Sequence, residues 1–181
     1  MKNNEVDVLK LLIENREREL NIAQIAKLLK KDYKNAHNQV TRLSKLQLVQ
    51  LQQFGKSYKV SLVNKLHPLI FEAEFTRKHE LLRNKNIAVM YDSFKAMNSK
   101  LYVLLIFGSY AKKKQTKHSD IDLMFIVPDT SGEKMEREIQ NIAHTLPLDI
   151  HLNIFTESDF KAMRKSKEAT IGSEAIKNNV I

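Results

Sequence analysis

Residues 101–127, LYVLLIFGSYAKKKQTKHSDIDLMFIV, hold the reading on which the fold turns. Leu101 to Phe107 is an apolar run of strand length, and Gly108-Ser109 breaks it. Ten residues later, Asp120-Ile121-Asp122 opens a second apolar run that ends at Val127. Carboxylates at i and i+2 of a strand share one face. Two like charges so placed repel, and a cation held between them relieves the repulsion. A Gly-Ser turn at the end of the first strand offers backbone N–H groups and a hydroxyl to a phosphate. Acids for a metal beside donors for a phosphate form the layout of a phosphoryl-transfer site.

Downstream, Pro147 to Ile154 alternates apolar and polar residues and is expected to be a third strand. Leu148 and Ile150 would face the core, so Asp149 should share the opposite side with His151. If this strand lies beside the one that carries Asp120 and Asp122, Asp149 joins them as a third carboxylate. Three such acids in one cleft suit two magnesium ions roughly 3.5–4 Å apart, bridging attacking and leaving oxygens. Magnesium fits because it is a hard cation that takes carboxylate and phosphate oxygens. An acid outside the metal bridge can orient or deprotonate an attacking hydroxyl. His118 and His151 read as surface groups or outer partners of the acids, since no His-x-x-x-His spacing accompanies them. Helices are expected at Lys85–Asn98, Glu133–Leu146, Phe155–Lys167 and Ala169–Asn178.

Upstream, Val8, Leu9, Leu12 and Ile13 repeat at helical spacing, and Asn21 is a plausible cap for a second helix containing Ile22, Ile25, Ala26, Leu28 and Leu29. Lys30 to Asp32 is a polar turn before a third helix, Tyr33 to Leu46. That helix buries Ala36, Val40, Leu43 and Leu46 and shows Lys34, Asn35, His37, Asn38, Thr41, Arg42 and Lys45 on its other face. Leu48–Leu51 and Tyr58–Leu62 then alternate as strands around a hairpin tip at Gly55, with Lys56 and Lys59 beside it. Helix, helix, short turn, helix and hairpin is the order of a winged helix-turn-helix. The third helix would face bases, and Lys56 and Lys59 would meet phosphate. Residues 64–84 carry Pro68 near their start and no Gly or Ser runs, so they read as a connecting helix.

Composition narrows the classes. The 181 residues allow one medium domain or two small ones, and 43% apolar content allows a packed core. No cysteine is present, which excludes disulfides and thiolate metal sites and agrees with a reducing compartment. No apolar run approaches the roughly 20 residues of a membrane span, and the first residues resemble no targeting peptide, so a cytoplasmic protein without membrane attachment is expected. The formal charge is +9. Leu20 to Asn64 holds eight of the bases against a single acid, Asp32, which points to a polyanion partner for that segment.

The two halves resemble two known families. Residues 1–63, and "KDYKNAHNQVTRLSKLQLV" above all, resemble the small winged-helix transcription regulators. Gly108-Ser109, ten residues, Asp120-Ile121-Asp122 and the later Asp149 resemble the polymerase β-like nucleotidyltransferases, and the wording around them resembles the minimal nucleotidyltransferases. The resemblance implies an α/β (α+β) chain. A winged helix-turn-helix at 1–63 is followed by a connecting helix at 64–84 and, at 85–181, a small nucleotidyltransferase domain with a short mixed sheet flanked by helices. It implies that Gly108, Ser109 and Lys112 contact the triphosphate of ATP or another nucleoside triphosphate. It implies that Asp120 and Asp122 hold two magnesium ions, and that Asp149 binds the catalytic one and serves as base. Minimal nucleotidyltransferases are often antitoxins that adenylylate a HEPN-domain toxin. The implied reaction is therefore AMP transfer to a protein hydroxyl, with the DNA-binding half, as a homodimer, acting on its own operator. The alternative is a DNA-binding regulator whose second half senses nucleotide or binds a partner. Small-molecule transfer is weaker, because such an enzyme has no evident need of a DNA-binding domain. After Gly-Ser-x-Ala the family usually has Arg-Gly, whereas this chain has Lys112 and Lys113. Lysine keeps the charge but not arginine's two-pronged fork, and a residue with a Cβ makes any positive φ costly.

Overall fold

The computed structural model describes residues 4–97, 101–116, 119–166 and 170–181. The chain divides into two compact units, Met1–Arg77 and Lys78–Ile181. Each unit has its own three-stranded sheet, and helices flank both sheets.

In the first unit the order is α1 (Asn4–Glu14), β1 (Leu20–Asn21), α2 (Ile22–Leu29), α3 (Tyr33–Lys45), β2 (Val49–Phe54), β3 (Ser57–Leu62) and the start of α4 (Pro68–Leu81). Helix boundaries follow from side-chain caps. Asn21 and Gln24 form a reciprocal capping box at the start of α2, and Lys30 ends that helix in the left-handed conformation, at φ 52°. Asp32 then accepts the Asn35 N–H at 2.8 Å and starts α3. Two caps so close together force the short turn between the helices. Phe54 pairs with Ser57 across the two-residue loop Gly55-Lys56, and Gly55 takes the positive φ that a tight hairpin asks of its first loop residue. Val8, Leu9, Ile25, Ala36, Val40, Leu43 and Leu48 are fully buried and fuse the three helices with the hairpin into one core. This is a winged helix-turn-helix arrangement. β1 has only two residues, pairs Leu20 with Val60, and completes the sheet in the order β1-β3-β2.

The second unit continues through the end of α4 into α5 (Lys85–Lys95), β4 (Val103–Ile106), α6 (Gly108–Ala111), β5 (Ile121–Val127), a 3-10 turn at Asp129–Ser131, α7 (Gly132–Thr145), β6 (Ile150–Thr156), α8 (Glu157–Lys165) and α9 (Ile171–Lys177). The sheet order is β4-β5-β6, with β4 antiparallel and β6 parallel to β5. β5 is buried on both faces, as a central strand must be. Leu123 and Phe125 pack with Ile87, Met90, Phe94, Met135 and Ile139 of α5 and α7. Met124 packs on the opposite face with Leu105, Phe107 and Ala175 of α9.

Several element bounds differ from the sequence expectation. The ladder of β4 spans Val103–Ile106 rather than Leu101–Phe107, because Phe107 turns the chain into α6. Gly108-Ser109 is the first half of that one-turn helix, not a plain turn. β6 begins at Ile150 and runs to Thr156, three residues later at its start than expected, since Pro147 has no N–H to give to a ladder. Phe155 belongs to β6, and Thr156 caps α8 by accepting the Asp159 N–H. The expected strands of the hairpin are longer, at six residues each.

Candidate functional site

The site grows from the first rungs of the β5–β6 ladder. Ile121 pairs with Ile150 and Asp122 with His151, and the Ile121 N–H donates to the Asp149 carbonyl at 2.8 Å. Asp120 and Asp149 therefore stand one residue ahead of the paired strands, and strand alternation extended back by one residue gives them the face of Asp122 and His151. That face is the one that carries Met124, toward α9. Asp120 and Asp149 are exposed, and the Asp122 side chain keeps 25% of its surface.

Gly108 and Asp122 touch. The Phe107 N–H donates to the Asp122 carbonyl at 3.1 Å, which draws the start of α6 over the start of β5. Gly108 has φ +64°, and a Cβ at that position would lie 1.9 Å from Asp122 Oδ2. Glycine is required twice over, by its dihedral angle and by the carboxylate that occupies the space. Asp122 Oδ1 faces the other way, 3.3 Å from His151 Nδ1. Ser109 is half-buried beside Gly108.

Lys112 and Lys113 close α6. The Lys114 N–H donates to the Ser109 carbonyl and the Lys113 N–H to the Tyr110 carbonyl, a Schellman stop with Lys113 at φ +55°. The structure thus uses the left-handed conformation at the position where the resembled family has glycine. Lys112 Nζ lies 3.4 Å from Glu174 Oε1 of α9, and Lys113 Nζ lies 3.0 Å from Glu80 Oε2. These are surface pairs worth about 0–1 kcal/mol, weak enough for a polyphosphate to displace. Lys117 and His118 lie outside the described residues.

The acids fit a hard divalent cation in kind, being oxygen donors only, and Asp122 Oδ2 lies against the Gly108 backbone. As they stand, no three acidic or histidine side chains among the described residues converge into a metal cage.

In the first unit, Lys34, His37, Asn38, Arg42 and Lys45 of α3 are exposed, whereas Asn35 and Thr41 are half-buried. Asn35 accepts a hydrogen bond from Gln39. Arg42 is 72% exposed in its side chain and donates to Glu5 at 3.1 Å. Lys56 is exposed at the hairpin tip, and Lys59 lies over the Phe54 ring and pairs with Glu19. Tyr33, 56% exposed at the head of α3 and 6.1 Å from His37 between ring centres, adds an aromatic to this surface that sequence reasoning left out. Its place as the first residue after the Asp32 cap was the available signal.

Comparison with known proteins bears on both units. Residues 92–181 match the family model "Polymerase beta, Nucleotidyltransferase". Residues 1–64 match a family model described as HVO_A0114. No curated protein sequence matches the chain. Among solved structures, the crystal structure of MepR, a transcription regulator of the Staphylococcus aureus multidrug efflux pump MepA, is similar at 12% identity and a TM-score of 0.36, covering 80% of this chain and 78% of that one.

Proposed function

We propose that the protein is a magnesium-dependent nucleotidyltransferase of the antitoxin type, transferring AMP from ATP to a hydroxyl of a HEPN-type toxin, and that its winged helix binds its own operator as a homodimer. The observation that carries the reading is the contact of Gly108 with Asp122 inside the matched segment. It puts the backbone that would face the phosphate and an acid that would hold the metal within van der Waals reach. Asp120, Asp122 and Asp149 would hold the cation, and Asp149 would also accept the proton of the attacking hydroxyl. A bound divalent cation supplies positive charge to the phosphate oxygens and the developing pyrophosphate. Gly108 and Ser109 would hold the triphosphate by backbone and hydroxyl donors, and Lys112 would leave Glu174 to meet its charge. The exposed cations and amides of α3, with Lys56 and Lys59, supply the surface for DNA.

A test incubates the chain with magnesium, labelled ATP and the product of the adjacent gene. Label on the partner that vanishes with Asp120→Asn supports transfer. Two observations favour the second reading, a regulator whose nucleotidyltransferase-like unit binds nucleotide with little turnover. Lys113 holds a conformation suited to glycine, and Lys112 lacks arginine's fork. No label with any nucleotide, alongside tight binding to the promoter of its own gene, would establish that reading instead.

A further inference from the structure

We infer that His151 is a positioning residue, one that orients the Asp122 carboxylate for cation binding. The inference rests on the metal-dependent reading above and deepens it. Asp122 and His151 are direct partners in the parallel β5–β6 ladder, so their side chains leave the sheet on the same face. His151 Nδ1 lies 3.3 Å from Asp122 Oδ1, and among the described residues it is the side chain that hydrogen-bonds this carboxylate. The other oxygen, Oδ2, sits over Gly108. One oxygen is thus held by the ring, and the second is presented to the phosphate side. A carboxylate with one anchored oxygen loses less rotamer freedom when it takes up an ion.

A structural role does not account for the pair. The His151 side chain is 63% exposed, and an exposed pair of this kind contributes too little to decide folding. His151 also sits on β6, the edge strand that follows Asp149, so one short segment supplies both an acid and the group that aims another acid. The geometry asks for an N–H at the Nδ1 position. Asparagine can present its amide there, whereas glutamine, one methylene longer, reaches the Nε2 position instead.

The experiment is a titration of the full chain with Mn²⁺ alone, followed by electron paramagnetic resonance without nucleotide, with thermal unfolding of each protein alongside. His151→Ala and His151→Gln should bind about tenfold more weakly, and His151→Asn should stay within about threefold of the unmodified chain. All should unfold at the same temperature. Unchanged Mn²⁺ binding by His151→Ala would overturn the positioning role while leaving the metal site intact. So would His151→Asn binding no better than His151→Ala. If the unmodified chain binds no better than Asp122→Asn, the metal-dependent reading itself falls, and the role of His151 falls with it.

Discussion

Lys113 carries a cost that can be measured. It holds φ +55° at the end of α6, where a residue with a Cβ crowds the next carbonyl. Its side-chain pair with Glu80 is partly exposed and offsets little of this. Lys113→Gly should therefore stabilise the protein, by about 0.5–1 kcal/mol after allowing for glycine's larger freedom when unfolded. The readout is a higher urea midpoint at an unchanged slope. At this scale the sequence was informative where chemistry is written in neighbours. Gly108, Asp120 and Asp122 lie within fifteen positions, and their spacing announced them. The pairing of Asp122 with His151 spans 29 positions and depends on a parallel register that no local pattern encodes.

Among elements, α8 shows how a helix start is built from afar. Thr156 caps it locally, and Asp129, first residue of the 3-10 turn after β5, accepts both the N–H and the hydroxyl of Ser158, at 3.1 and 2.6 Å. The Ser158 hydroxyl, and then its N–H, hold the Asp129 carboxyl below its ordinary value near 3.8. Because the folded value is the lower one, the stabilisation is full above the unfolded value and fades as pH falls through the folded one. Asp129→Ala should lower the urea midpoint at about pH 7, with the gap to the unmodified chain narrowing at about pH 3. Urea unfolding of both proteins across that range checks it. The same long range explains what elements hid from inspection. β1 is too short to show a period, and it exists because β3 offers an edge. The α2–α3 turn, by contrast, was legible from Asn21 and Asp32, since caps act over three residues.

At the scale of the whole molecule, charge has the widest reach. The excess of +9 is concentrated in the segment that folds as α2, α3 and the hairpin, and Arg42 is an exposed cation on α3. Arg42→Ala should weaken binding to the protein's own promoter DNA and reduce the dependence of log affinity on log salt by about one unit. Fluorescence anisotropy over a salt series measures both, and an unchanged slope would place the DNA elsewhere. Among the described residues no helix is long and apolar enough to cross a membrane. Because Ile121 pairs with Ile150 and its N–H is held by the Asp149 carbonyl, exchanging the residues between Lys114 and Ser119 should leave the ladder behind Asp120 and Asp149 in register. A library of sequences at those positions on an unaltered sheet would then separate what the segment does from what the three acids do.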